Sequence, residues 1–187
     1  MKGNEMKKLL TFAAALLSFG LVAAEPEMEI IEIRNDNSFN TVVNIWCANT
    51  GLMARKPGGK VMKAPGGRSG SCMRITNTAT SHSSVFSRAL IPVDRTADTI
   101  KCSIWVKGKG SFRFGFYLYK AKGRGYVGIS QVPVVSVDSK EYKKYDFVFP
   151  CSKFNAATKA VRLAIEVVKE ADLCFDDFSG VKESLVK

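Results

Sequence analysis

The sequence predicts an all-β protein, a jelly-roll sandwich of two antiparallel sheets. Apolar and polar residues alternate through many short segments, which is typical of strands that have one buried face. About nine or ten such segments follow one another at short, regular spacing. No window of about 11 residues after the N-terminal region has the spacing of an amphipathic helix.

The alternation is clearest in residues 100–120, which are predicted to form a β-hairpin. Gly108 and Gly110 supply the backbone freedom that a short hairpin loop needs. The apolar faces of the two predicted strands consist of Ile100, Cys102, Ile104 and Val106, then Phe112, Phe114, Phe116 and Leu118. The opposite faces carry flat aromatic rings and charge, in Trp105, Arg113, Tyr117 and Tyr119.

The other predicted strands lie on both sides of this hairpin. In chain order they are 25–34, 41–46, 72–76, 85–93, 132–137, 142–149, 160–169 and 173–179. Glycine- and proline-rich composition predicts loops over residues 51–70 and 120–128.

The first 24 residues are predicted to be a signal peptide. Three lysines precede an apolar run over residues 9–22, which is too short to span a bilayer and ends at Ala23-Ala24. We expect cleavage after Ala24, which leaves one domain over residues 25–187 without a membrane insertion. The protein is then secreted, periplasmic or bound at the cell surface.

The charge balance favours anionic partners. The formal net charge is +11, and removal of the leader with its three lysines and Glu5 lowers it to +9. The charges are scattered, so a nucleic-acid-binding tail is not predicted.

The chemistry-bearing residues do not predict an enzyme or a zinc site. Among 187 residues there is one histidine, His82, and the five cysteines form no CxxC motif. A serine triad needs a histidine with partners, and His82 is predicted to lie at the surface in a polar loop. A glycosidase needs two facing carboxylates, whereas the adjacent Asp176 and Asp177 point to opposite faces of a strand.

The two aspartates still need a role, because unpaired acids in an apolar strand are costly to bury. A calcium ion would satisfy one of them with help from loop carbonyls. A salt bridge to one of the many lysines or arginines is an equally good explanation.

The aromatic face favours carbohydrate. The C–H face of a sugar ring can lie on Trp105 or Tyr117 while polar groups at the rim bind its hydroxyls. The alternative is that a loop covers these rings and that they belong to a second, minor core.

Several segments in one order also match a known pattern. They are 37–40 with Trp46, 68–75, 102–108, 141–145 with Phe147, and 175–178. They look like the motifs N-x-F-E…W, S-G-x-x-L-x-V, Y-x-x-S-x-W-V-K-G, x-W-K-x-Y-x-F and I-D-D-V. Nearly all of the chain after the leader therefore resembles the carbohydrate-binding modules of the family 4, 9, 16 and 22 group, which have a galactose-binding-domain-like jelly roll.

The resemblance implies a structural calcium ion and a disulfide. Asp176 would bind the calcium with carbonyls of Ser38 and Gly70, although Asn40 stands where the family usually has glutamate. The disulfide, found in some members, would join Cys72 to Cys174.

The resemblance also implies a binding groove on the concave sheet. The matching positions are Arg113, Tyr126, Arg162 and Glu166, and Trp105 would share their face if the hairpin pairs around Lys109. Because some relatives carry neutral amides at positions 162 and 166, a charged groove favours an acidic polysaccharide here.

The sequence therefore predicts a secreted module that binds polysaccharide without catalysis. The alternative is a structural or adhesive cell-surface domain that has no sugar site. Such modules usually accompany an enzyme, but no catalytic domain is predicted in this sequence. The chain is therefore expected to act alone or in a larger extracellular assembly.

Overall fold

A computed structural model describes residues 27–33, 46–48, 59–78, 82–121 and 124–186. The strands are β1 (Met28–Glu32), β2 (Trp46–Ala48), β3 (Lys60–Gly67), β4 (Gly70–Asn77), β5 (His82–Ser87), β6 (Ile91–Pro92), β7 (Asp98–Ala121), β8 (Arg124–Gln131), β9 (Val135–Pro150) and β10 (Ala160–Leu185). A short 3-10 helix spans Cys151–Lys153. Within these ranges, no helix is long and apolar enough to cross a lipid bilayer.

Two very long strands organise the fold. β7 has 24 residues and β10 has 26, and they pair in antiparallel register along almost their whole lengths. The free edge of β10 pairs in turn with β6, β5, β4 and β1, and the free edge of β7 pairs with β9 and β8. All described pairs are antiparallel, and the sheet does not close into a barrel.

This hydrogen-bonded sheet folds over into two layers. Layer A contains the first half of β7 and the second half of β10, with β3, β4, β1 and the end of β9. Layer B contains the remaining halves of β7 and β10, with β2, β5, β6 and β8. The all-β sandwich predicted from the sequence is confirmed.

The core between the layers is rich in phenylalanine. Phe112, Phe114 and Phe116 of layer B are fully buried. Their rings meet rings from layer A, with centroids 5.3 Å apart for Phe112–Phe175, 4.9 Å for Phe114–Phe147 and 4.8 Å for Phe116–Phe149. Because strand side chains alternate, the residues between these phenylalanines point to the outer surface of layer B.

The predicted hairpin is wrong, because β7 continues through its glycines without reversing. Lys107 pairs with Cys174 and Lys109 pairs with Asp172, so β10 follows β7 on both sides of the bend. Gly108 and Gly110 have φ of 119° and 146°. These glycines are needed where two strands bend in close contact, since a Cβ on Gly108 would lie 2.0 Å from the Asp172 carbonyl oxygen.

Other boundaries also differ from the prediction. The predicted strands 160–169 and 173–179 are parts of β10, which bends at Lys169, a residue with φ of 62°. The region 51–70, predicted as a loop, contains β3, and most of β8 lies in or just after the predicted loop 120–128. Their glycines and prolines occur within paired strands, which composition alone does not distinguish from loops.

We predict that Gly108→Ala destabilises the fold more than Gly128→Ala does. Both glycines have positive φ, so both substitutions introduce strain on the order of 1 to 3 kcal/mol. A Cβ at Gly128 meets nothing within 4 Å, whereas at Gly108 it collides with backbone, which adds about 1 to 3 kcal/mol. Urea denaturation measures the difference, and equal losses in both variants would contradict the tight bend.

Candidate functional site

The outer surface of layer B brings together all the predicted ligand-binding residues except Trp105. The strand register places Arg113 opposite Glu166 and Tyr117 opposite Arg162. Tyr126 joins them from the neighbouring strand β8, where it lies opposite Tyr119. We call the surface formed by Arg113, Tyr117, Tyr119, Tyr126, Arg162 and Glu166 the tyrosine face.

The aromatic part of the tyrosine face is open to solvent at Tyr126. This side chain is 59% exposed, and its ring centroid lies 6.1 Å from those of both Tyr117 and Tyr119. The Tyr117 hydroxyl donates a hydrogen bond of 3.3 Å to Ser84 Oγ, and its ring packs edge-on against Phe86. The fixed Tyr117 ring therefore supports an exposed neighbour that can stack on a ligand.

Both arginines of this face contact other residues of the same surface. Arg113 Nη1 lies 3.2 Å from Glu166 Oε2, and the Glu166 side chain is only 16% exposed. The guanidinium carbon of Arg162 lies 5.5 Å from the Tyr119 ring centroid and 5.6 Å from that of Phe86. Arg162 thus contributes cation–π contacts to the packing of this surface.

Two small residues lie between the larger side chains of the same face. Gly115 and Ala164 pair across β7 and β10, and both are buried. Beside them, Gln131 Nε2 and Arg162 Nε are buried atoms without a hydrogen-bond partner among the described residues. Unpaired buried donors are unusual. Arg162 lies opposite Tyr117, and Gln131 lies opposite Gly115.

Sequence reasoning missed several residues of this surface, namely Ser84, Phe86 and Gln131. β5 places Ser84 opposite Glu166 and Phe86 opposite Ala164. The alternation of Ser84 and Phe86 around the core residue Val85 is the signal that could have placed them on the outer side of β5, where Ser84 is nevertheless buried.

Trp105 lies on the other side of the molecule, so the prediction that it shares a face with Arg113 is wrong. Both residues point away from the core, but Trp105 belongs to layer A and Arg113 to layer B. The guanidinium carbon of Arg68 lies 3.7 Å from the Trp105 ring centroid, and Arg68 also forms an ion pair with Asp177. A ligand could not use that ring face without displacing Arg68.

Comparisons with known proteins identify the fold. No protein-family model matches the chain, and no curated protein matches it. Solved structures do match. A family 11 carbohydrate-binding module from Clostridium thermocellum, in complex with a β-1,3-1,4-mixed-linked tetrasaccharide, has a TM-score of 0.57 and 15% identity over 80% of this chain and 94% of its own.

The chain has the β-sandwich fold of carbohydrate-binding modules. Another match is the CBM22-1 and GH10 modules of Clostridium thermocellum endo-1,4-β-D-xylanase 10B complexed with xylohexaose, with a TM-score of 0.57 and 15% identity over 80% of this chain. The chain spans only 28% of that xylanase structure. A Stig cyclase from Fischerella sp. TAU also matches, with a TM-score of 0.60 and 8% identity over 84% of this chain and 100% of its own.

Within this fold, Asp176 lies buried beneath the turn between β3 and β4. Its Oδ2 accepts the Arg68 N–H at 2.5 Å and its Oδ1 accepts the Asp177 N–H at 2.9 Å. Burial raises the pKa of Asp176, although these two N–H groups act in the opposite direction.

Asp176 lies close to one of its predicted calcium partners. Gly70 belongs to the same β3–β4 turn, whereas Ser38 lies outside the described residues. In the described part of the chain, no three acidic, cysteine or histidine side chains form a metal-binding group. The Asp176 carboxylate alone therefore supplies too few of the six to eight oxygen ligands that calcium takes. Carbonyls of Ser38 and other residues would have to supply the rest.

The predicted disulfide is absent, since Cys72 and Cys174 are both free thiols. The two cysteines lie on neighbouring strands, but Cys174 is paired with Arg74, so Cys72 is its diagonal neighbour. Diagonal positions have Cα atoms about 7 to 8 Å apart, beyond the usual disulfide range. Burial raises the pKa of Cys174 to about 12, and a hydrogen bond with Cys72 makes a smaller contribution in the same direction.

We predict that Asp176→Asn gains stability relative to the wild type as pH rises. Since the folded pKa of Asp176 is raised above its ordinary value of 3.8, the wild type loses stability as pH rises from 3.8 through that folded pKa. Asparagine keeps an acceptor and cannot ionise. Urea denaturation in EDTA between about pH 3.5 and about pH 7 measures the two free energies of unfolding. A difference that stays constant with pH would contradict the burial of this carboxylate.

Proposed function

We propose that the protein binds a polysaccharide non-catalytically at the tyrosine face. The observation that carries the proposal is the exposed Tyr126, supported by Tyr117 and Tyr119 and bordered by hydrogen-bonding side chains. The C–H face of one sugar unit can stack on the Tyr126 ring, while hydroxyls of units farther along the chain reach the Arg113–Glu166 pair at the other end of the face. The sugar complexes among the structural matches support the same reading.

The row of outward residues from Tyr126 through Tyr117 to Arg113 supports an extended chain as the ligand. Further sugar units could continue along this row from the ring stacked on Tyr126. A hydroxyl or ring oxygen can accept from the guanidinium of Arg113, whose side chain is 41% exposed. A polysaccharide uses both ends of this row at once, whereas a single sugar uses one.

We propose binding without hydrolysis because the tyrosine face offers only one carboxylate. Glu166 is held by Arg113, and no second acidic side chain lies on the described part of this face. Glycoside hydrolysis in most families needs a facing pair of carboxyl groups.

Calcium binding, export and assembly remain parts of this proposal. Calcium would bind Asp176 with carbonyls of Gly70 and Ser38, and the Asp176→Asn variant provides the test. Added calcium should raise the unfolding midpoint of the wild type and leave that of the variant unchanged. Residues 1–24 would direct export to the periplasm, cell surface or medium, where the module works alone or in a larger assembly.

The second candidate function is a structural or adhesive domain without a sugar site. The observation that favours it is the packing of Arg68 on Trp105, which makes this large ring part of a folded surface and not an open platform.

Affinity electrophoresis of Tyr126→Ala tests the sugar site. We expect the variant to lose about 3- to 10-fold in affinity for the polysaccharide that retards the wild type, because one stacked ring contributes about 0.5 to 1.5 kcal/mol. Gels containing neutral glucan, xylan, pectin or a sulfated glycan identify that polysaccharide.

Trp105→Ala is the matched control on the opposite layer. It should keep wild-type affinity, provided that circular dichroism shows it to be folded. If Trp105→Ala loses binding and Tyr126→Ala keeps it, the site lies on layer A and the proposal is wrong. If no polysaccharide retards the wild type, the structural or adhesive function is favoured.

A further inference from the structure

A cleft of about 580 Å³ opens on layer A beside the bend, away from the tyrosine face. It lies between the β3–β4 hairpin, the bend of β7 and the first half of β9. We call it the cationic cleft because its charged lining consists of four cations and two acids, namely Arg74, Lys107, Lys109, Lys140, Asp138 and Asp172.

Two of the cations are held in fixed positions. Arg74 donates to both carboxylate oxygens of Asp172, with Nε–Oδ1 at 2.7 Å and Nη2–Oδ2 at 2.5 Å. Lys107 Nζ donates to the Gly66 carbonyl oxygen at 2.7 Å and lies 4.5 Å from the centroid of the Tyr142 ring. The Arg74–Asp172 pair compensates its own charge, but Lys107 is bound only by neutral groups.

The other two cations make no ion pair in the described part of the chain. Lys109 is opposite Asp138 on β9 and opposite Asp172 on β10, yet it forms no salt bridge with either, and Asp172 is held by Arg74. Lys140 extends from β9 on the same side of the cleft. The cleft therefore holds two more positive than negative charges. Its thiol, Cys174, adds no negative charge, because its pKa of about 12 keeps it protonated at neutral pH.

The tyrosine face has a smaller excess, because its two arginines face one glutamate. Arg113 is paired with Glu166, and the remaining charge, on Arg162, lies against the rings of Phe86 and Tyr119. If the protein distinguishes acidic from neutral glycans, the uncompensated charges at the cleft are better placed to do so.

We propose that the cationic cleft binds a carboxylate or sulfate group of an acidic glycan, on the side of the sandwich opposite the tyrosine face. Lys109 and Lys140 would donate charge-assisted hydrogen bonds to the anion, and Lys107 would add to the local positive potential. The anion-binding part of this inference stands on the cleft alone, and the choice of a glycan rests on the proposed function.

The test is calorimetric titration of the full chain with polygalacturonate and dextran sulfate oligomers, at about 0.15 M salt to screen long-range attraction. The double variant Lys109→Gln/Lys140→Gln removes the unpaired cleft charges. Lys153→Gln/Lys159→Gln removes equal charge from the β9–β10 connection and is the matched control.

We expect the cleft variant to bind at least one acidic oligomer at least about tenfold more weakly, since the loss of even one charge-assisted hydrogen bond lowers affinity by about that factor. The control should stay within about twofold of the wild type, and neither variant should change in binding to a neutral glucan. Equal weakening of both variants would reduce the effect to net charge and overturn the site, as would wild-type affinity in the cleft variant.

Two further arms separate this inference from the proposed function. Tyr126→Ala should lower the affinity for neutral and acidic glycans alike. If it does not, the tyrosine face is not the sugar site, and the result for the cationic cleft is unaffected. Inorganic sulfate should bind much more weakly than the oligomers. If it binds the cleft as tightly as they do, the ligand is a free anion and the glycan assignment is wrong.

Discussion

The close contact of β7 with β10 at the bend is the constraint on which the rest of the structure depends. A Cβ on Gly108 would overlap the Asp172 carbonyl oxygen, and one on Gly110 would lie 2.5 Å from Ala171 Cβ. The two strands can bend together only if β7 has no side chain at these two positions. Each shorter strand pairs with one half of β7 or β10 and lies in the same layer as that half. This one contact therefore decides which side chains enclose the core.

The same bend divides the outward side chains into two surfaces with different chemistry. Layer B carries the exposed Tyr126 and an arginine–glutamate pair that neutralises its own charge. Layer A carries Trp105, covered by Arg68, and the uncompensated lysines of the cationic cleft. Stacking and charge are thus available to a ligand on opposite sides of one sandwich. A long acidic polymer could contact both, whereas a short neutral oligosaccharide would need only the tyrosine face.

Local alternation predicted the all-β fold, and the resemblance to carbohydrate-binding modules supplied most of the candidate site. Alternation gave the strand character of most segments and the outward direction of Arg113, Arg162 and Glu166, because the two-residue period of a strand is a local property. It did not predict whether Gly108 and Gly110 reverse the chain or bend it, since both outcomes need a permissive backbone. That distinction depends on the long-range pairing with β10, and the error put Trp105 on the wrong face. The same kind of information, the register of β4 against β10, decides that Cys72 and Cys174 are diagonal neighbours.

Mapping a bound oligosaccharide onto the two layers tests the central claim most directly. Amide chemical shifts of the labelled protein would be followed by NMR while the neutral oligosaccharide that binds best is added. The account predicts that the largest shifts cluster at Tyr117, Tyr126 and Arg162, with little change at Arg68 and Trp105. Shifts that centre on Trp105, or that spread across both layers without a maximum at the tyrosine face, would contradict it.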